Sequence, residues 1–340
     1  MKKGTSYLVH CSATYVGGAE SSLLTEIESG TNKNIAFLLP DKGSLSLKIE
    51  EMGYCVYFLK WPELVNGFHQ RGSAFSWIRA VFFPYYLWSF IKYWRELARI
   101  KKEYDMIWSS GIKSHCLLLP LLPFWKGKVV YNIRDFIHPV WLRKVISIMS
   151  KINQVEVVAN SKAVGKAFGS ARVQYPKIAM QNKKVIKNKG KIIISHVAYY
   201  APYKGQDIFL RYAAEILSQG HQAEFWLIGD VLYQGKSYLE YKNNLMNLIE
   251  ELGIKKHVKI IGQVNDVYSY LEKSHYLFHS TREPEPFGRV VLEALSCGCK
   301  VLCHEESGVC EVLKIDKKNT QKDVLGIKPW EQQHVFVALK

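Results

Sequence analysis

Short apolar runs recur along the chain, separated by longer stretches whose apolar positions repeat at helical spacing. In the first half the runs fall at Tyr7–Cys11, Ile35–Leu39, Val56–Leu59, Met106–Ser109, Val129–Ile133 and Val155–Ala159. Runs this short, joined by helical stretches, predict parallel strands with helical crossovers, and so a doubly wound sheet. Around Tyr175–Gly190 the alternation gives way to polar, basic, aperiodic sequence, which predicts a linker. It then restarts. Strands are expected at Ile192–Val197, Ala223–Ile228, Val258–Ile260, Tyr276–His279 and Lys300–Cys303. Helices are expected at Gly205–Gln219, Ser237–Leu252, Val264–Lys273, Gly288–Cys297 and Ser307–Leu313, with Gly220 and Gly253 placed as C-caps. The pattern therefore predicts an α/β chain of two doubly wound, Rossmann-like domains, residues 1–175 and 176–340. Two such domains place a central cleft between the carboxyl ends of their sheets, where open α/β sheets bind ligands.

One stretch departs from the alternation. Between Phe75 and Trp94 stand ten aromatic residues, Trp77, Tyr85, Tyr86 and Trp88 among them, punctuated by Arg71, Arg79, Lys92, Arg95, Arg99, Lys101 and Lys102. Pro84 would kink a helix there. An aromatic, cationic helix suits a lipid–water interface; a helix packed on the sheet by a wide apolar stripe is the competing reading. Residues 75–102 are thus the expected membrane-surface contact.

Composition narrows the class. The chain has 340 residues, 48% hydrophobic and 22% charged, enough to bury two cores and too apolar to be disordered. A formal net charge of +16 favours anionic partners: nucleic acid, anionic lipid or phosphorylated small molecules. No nucleic-acid recognition motif accompanies that charge, so no nucleic-acid partner is expected. Seven scattered cysteines point to reduced thiols in a cytosolic compartment. Cys297, Cys299, Cys303 and Cys310 lie close together without a C-x-x-C pair, which favours buried or idle thiols over a metal site. The apolar run after Met1-Lys2-Lys3 is too short for a signal peptide, and no run is long and clean enough for a membrane span.

The chemistry concentrates in Glu285-Pro286-Phe287-Gly288-Arg289-Val290-Val291-Leu292-Glu293-Ala294. Two carboxylates stand eight positions apart, one on a loop after a strand, the other over a turn into the following helix. The helix start offers free N–H groups to a diphosphate, and the second carboxylate can accept both hydroxyls of a ribose diol. A surface helix with a capping acid remains the competing reading. Gly17-Gly18-Ala19-Glu20 follows the first strand and opens a helix, and a glycine pair allows close approach of a phosphate.

Residues 285–298 resemble the signature E-x-F-G-x-x-x-x-E-A-x-x-x-G of the retaining glycosyltransferases of family 4, which have the GT-B fold. The resemblance implies that Glu285 contacts the donor sugar, that Glu293 holds the ribose, and that Phe287 and Gly288 present backbone amides. Ala198–Gly205 resembles that family's G-R-L-x-x-x-K-G, in which Arg and Lys bind the donor diphosphate. Lys204 and Gly205 match; Tyr199 stands where Arg is usual and Ala198 where Gly is usual. A substitute cation is then required, with Arg282, Arg289 and Arg134 as candidates. Gly17 and Gly18 are implied as donor-phosphate contacts, and Gln263 with Val264 as the segment whose backbone reads the nucleobase. Arg134-Asp135 stands where relatives carry a His-Asp pair reaching the transferred sugar. Past Leu313 the resemblance fades, and Lys314–Lys340 reads as a short polar tail.

The implied activity is metal- and cofactor-independent transfer of a sugar, with retained configuration, from a nucleotide-diphosphate donor (UDP- or GDP-sugar). Lys204, Glu285 and Arg134 are the expected catalytic residues. The expected acceptor is a saccharide or a polyprenyl- or lipid-linked saccharide, in surface polysaccharide (lipopolysaccharide or capsule) assembly at the cytoplasmic membrane face. The departures at Tyr199 and Arg134 keep a catalytically weak or inactive binding subunit as the alternative. A dinucleotide-dependent oxidoreductase is disfavoured, because no G-x-G-x-x-G follows a strand.

Overall fold

The computed structural model describes residues 6–30, 34–62, 65, 83–138, 140–153, 155–169, 171–177, 191–232, 236–304, 309, 311 and 336–339. The chain divides into two compact units, Met1–Lys177 and Ile178–Lys340.

The first unit carries strands β1 (Tyr7–Cys11), β2 (Ile35–Leu39), β3 (Cys55–Phe58), β4 (Met106–Ser110), β5 (Lys128–Ile133), β6 (Glu156–Ala159) and β7 (Arg172–Val173). They form one parallel sheet in the order β3-β2-β1-β4-β5-β6-β7. Helices α1 (Gly18–Glu28) and α2 (Ser44–Glu51) pack on one face, against Val9, Phe37 and Leu39. The other face carries α3 (Phe83–Lys101), α4 (Ile112–Leu118), a 3-10 turn at Leu119–Phe124, α5 (Val140–Ile152) and α6 (Lys162–Gly165), over Leu8, Ile107, Tyr131 and Ile133. Side chains alternate across each strand, so neighbouring residues of β1 serve opposite cores. Ser161 starts α6, its hydroxyl accepting from the Val164 N–H at 3.2 Å.

The second unit carries β8 (Ile192–Val197), β9 (Ala223–Ile228), β10 (Val258–Gly262), β11 (Tyr276–His279), β12 (Lys300–His304) and β13 (Phe336–Leu339). Their order is β10-β9-β8-β11-β12-β13, parallel except for β13, which runs antiparallel to β12. Its helices are α7 (Gln206–Ser218), α8 (Lys236–Glu251), α9 (Tyr268–Leu271) and α10 (Arg289–Ser296). Gly220 and Gly253 take positive φ and close α7 and α8.

Four expectations change. The helix expected over Val264–Lys273 shrinks to α9, because the Asp266 carboxylate accepts from the Tyr268 N–H at 3.0 Å and starts the helix there. Pro84 falls in the first turn of α3, where its missing N–H breaks no helical bond. The tail contributes strand β13, since Phe336-Val337-Ala338-Leu339 is an apolar run beside the open edge of β12. Strand β7 adds a short edge that the pattern did not register. Among the other expectations, residues 178–190, residues 75–82, most of the helix at 307–313, and Cys310 lie outside the described residues.

Candidate active site

In the second sheet the chain winds one way from β8 to β9 and the other way to β11. The carboxyl ends of β8 and β11 therefore flank the topological switch point, where loops separate and leave room for a ligand. The loop after β8 carries Tyr199, Tyr203 and Lys204; the loop after β11 carries Arg282 and Glu285. The fold brings the two loops together across 81 positions, and the Lys204 ammonium donates to Glu285 Oε2 at 2.8 Å. Both side chains are mostly buried. Burial alone would push the Glu285 carboxyl up, but Lys204 and then His279 reverse this and hold it below the ordinary carboxylate range.

Several contacts fix that pair. Gly205 lies at φ 71°, and a Cβ there would stand 2.0 Å from the Ser280 carbonyl oxygen, so the two loops meet backbone to backbone. His196 Nε2 lies 3.1 Å from both the Lys204 carbonyl and Ser280 Oγ. Burial pushes this imidazole down to about 3, so it is neutral, and a carbonyl neighbour requires Nε2 to carry the proton. Arg282 grips Asp207 through two guanidinium nitrogens, at 2.8 and 2.5 Å, and also donates to the Pro202 carbonyl. His279 Nε2, the last side chain of β11, sits 3.9 Å from Glu285 Oε2.

The Arg expected before Lys204 is replaced by a ring rather than by another cation. The Lys204 ammonium lies 5.7 Å from the Tyr199 ring centre and 5.5 Å from that of Tyr203, and the two rings meet edge to face. Among the substitute cations, Arg282 is committed to Asp207, whereas Arg289 opens α10 and its Nε donates to Glu293 Oε1 at 2.6 Å.

Helix α10 starts at the switch-point loop. Gly288 precedes it at φ 80°, with a would-be Cβ 2.5 Å from Val309 Cγ2. Phe287 and Glu293 are both buried. Burial raises the Glu293 carboxyl above the ordinary range, with Arg289 opposing. Gln263 is exposed and follows β10, while Val264 packs beside Trp226 and Tyr270. Cys297, Cys299 and Cys303 are buried, and the Cys299 thiol donates to the Leu271 and Ser274 carbonyls. Among the described residues no cluster of metal-ligating side chains occurs.

The first unit holds the remaining predicted residues. Gly17 has an ordinary φ of −106°, and its N–H donates to Glu20 Oε2 at 3.0 Å. A Cβ at Gly18 would meet nothing within 4 Å, so that backbone faces open space. Arg134 follows β5, is buried, and donates to Glu26 at 2.6 Å. With its amide oxygen turned inward, Asn132 accepts from Arg134 at 3.0 and 3.1 Å and from Trp108 Nε1 at 3.0 Å.

His196, Ser280, His279 and the Arg282–Asp207 clamp escaped sequence reasoning. Their signal was present: a polar side chain inside an otherwise apolar parallel strand is costly unless bonded, so His196 and His279 mark places where partners converge.

Two doubly wound units whose second sheet carries this site at its switch point define the GT-B glycosyltransferase fold. HepE of Anabaena, crystallised with UDP, superposes with a TM-score of 0.73 at 21% identity, over 91% of this chain and 83% of that one. Residues 178–323, within the second unit, match the family model of glycosyl transferases group 1. The chain is 27% identical over 201 residues to the capsular polysaccharide biosynthesis glycosyltransferase CapH of Staphylococcus aureus, covering 56% of this chain and 52% of that protein. It is 34% identical over 77 residues to a Campylobacter jejuni N-acetylgalactosaminyltransferase whose name specifies a diphospho-undecaprenol-linked acceptor, covering 22% of this chain and 21% of that protein. The chain thus spans about half, at most, of the curated relatives it matches.

Proposed function

We propose that the protein transfers a sugar, with retained anomeric configuration and without a metal, from a nucleotide-diphosphate donor to a saccharide or lipid-linked acceptor. The observation that carries this reading is the Lys204–Glu285 pair at the switch point, with Glu293 one turn into the helix that starts beside it. In this reading Lys204, Gly205 and the amides of Phe287, Gly288 and the start of α10 neutralise the diphosphate. Glu285 turns to the sugar hydroxyls, Glu293 accepts the ribose diol, and the backbone of Gln263 and Val264 reads the base. Gly17 and Gly18 are further phosphate contacts, and Arg134, which Glu26 holds, is the remaining catalytic residue. As the bond from the anomeric carbon to the diphosphate oxygen breaks, the acceptor hydroxyl attacks from the same face. The departing oxygen takes the hydroxyl proton, so no protein nucleophile is required.

UDP bound to HepE, the CapH resemblance and the undecaprenol-linked acceptor of the Campylobacter relative support a UDP-sugar donor and a role in surface polysaccharide assembly. The aromatic, cationic helix α3 supports working at the inner membrane face. Among the described residues no helix is long and apolar enough to cross a membrane. Calorimetry with UDP and GDP, with Glu293→Ala beside the parent, tests the donor site. Micromolar binding of one nucleotide, lost in the variant, sustains the reading, and binding of neither overturns it. Binding without transfer selects the inactive-subunit alternative.

A further inference from the structure

Helix α5 is apolar on both sides. Ile146 packs into the core with Leu142 and Met149 beside it, as an amphipathic helix requires. Its outward face should then be polar, yet Trp141, Val145, Ile148 and Ile152 repeat along it at helical spacing and are all exposed. Trp141 is 62% exposed; beside α5, Phe124 on the 3-10 turn is 84% exposed. Across that turn and α4, α3 presents exposed Tyr85, Leu87 and Trp88. These elements form one layer: all pack on the same core, and Trp94 of α3 donates from Nε1 to the Leu117 carbonyl of α4 at 2.9 Å. Helices layered on one sheet face turn their outer sides the same way, so the exposed apolar groups form one platform.

Charge selects the occupant. These helical segments carry eight cations, Lys92, Arg95, Lys144 and Lys151 among them, against one carboxylate, Glu96, which Arg99 already engages at 2.7 Å. Two copies meeting through this layer would oppose like charges. A nucleic acid would engage the cations and the aromatic rings but would leave Leu87, Val145, Ile148 and Ile152 against water. An anionic lipid surface answers both features, taking the apolar groups below the headgroups and the cations among them.

We propose that α5, together with Phe124 and α3, seats the first unit on an anionic bilayer, and that α5 is a principal inserting element. The proposal rests on the interfacial reading of α3 and extends it to a helix that the aromatic pattern did not mark. It is independent of the donor chemistry.

The test is flotation of the full chain with vesicles of equimolar phosphatidylcholine and phosphatidylglycerol, and with phosphatidylcholine alone. The parent should float with the anionic vesicles. Trp141→Ser combined with Ile148→Ser should weaken partition at least about tenfold. Both residues are exposed, so melting temperature and nucleotide binding should hold. Lys144→Glu with Lys151→Glu should lose anionic binding, and Leu239→Ser, an exposed apolar group of the second unit, should change nothing. If Trp88→Ser abolishes flotation while the Trp141/Ile148 variant floats like the parent, the α3 reading survives and this proposal falls. A parent that does not float, or one that sediments as a dimer split by the Trp141/Ile148 substitutions, also overturns it.

Discussion

Replacing Lys204 by Met removes the ammonium that lies by the Tyr199 and Tyr203 rings while keeping most of the aliphatic stem. The Lys204 and Glu285 side chains are 15% and 22% exposed, so the pair is neither a surface ion pair nor a fully buried one. Breaking a fully buried pair costs about 3–5 kcal/mol, because a charge is left uncompensated. Here solvent reaches Glu285 and protonation relieves it, which brings the expectation to about 1–2 kcal/mol, a loss of roughly 2–8 °C in melting temperature. The ligand effect is separable. A charge-assisted hydrogen bond to a phosphate contributes about 1.5–3 kcal/mol, so UDP should bind about 10- to 100-fold more weakly to Lys204→Met. Uridine, which lacks the phosphates, should bind as it does to the parent. Glu285→Gln works in the opposite sense: it frees Lys204, so UDP affinity should hold or rise while transfer falls. Calorimetry with UDP and uridine on the three proteins reads the affinities, thermal melting reads the stability, and a transfer assay reads the activity. Equal weakening of UDP and uridine by Lys204→Met, or no weakening of UDP, would refute the assignment of Lys204 to the diphosphate.

Glu293 must be ionised to accept a ribose diol and its folded-state value is raised, so nucleoside affinity should drop as pH falls through a value above the ordinary carboxylate range; Arg289→Gln should move that drop to higher pH, visible in a calorimetric pH series. Gly205→Ala combines a left-handed φ, costing about 1–3 kcal/mol, with a clash against the Ser280 carbonyl, and soluble yield with thermal melting should show a destabilised second unit. His196 is neutral when folded, at about 3, but takes a proton when unfolded below about 6.5. Its contribution is therefore complete above about pH 6.5 and is lost progressively on acidification, on the order of 2 kcal/mol by about pH 5. His196→Gln should flatten the acid limb of the stability profile, and an unchanged dependence of unfolding free energy on pH, read from urea titrations across that range, counts against a buried neutral imidazole.

The strands β8, β9 and β11 match the sequence expectation residue for residue, because a strand buried on both faces reads as a mostly apolar run whose flanking polar residues mark its ends. The spacing of Glu285 and Glu293 was equally legible, being fixed by one loop and one helical turn. What the sequence left open was every choice between non-local partners. Three arginines were candidates to stand in for the absent one. Packing commits Arg282 to Asp207 and Arg134 to Glu26, and sets Arg289 against Glu293. His196 interrupts an apolar strand, and only the fold shows why, putting Ser280 and the Lys204 carbonyl against it across the switch point. The outer face of α5 is the clearest case. Its apolar residues recur on two sides, and only the packed layer reveals which side is covered by the core. Local pattern is set by burial and backbone geometry within a few residues, whereas partner choice is settled by the mutual packing of segments far apart in sequence.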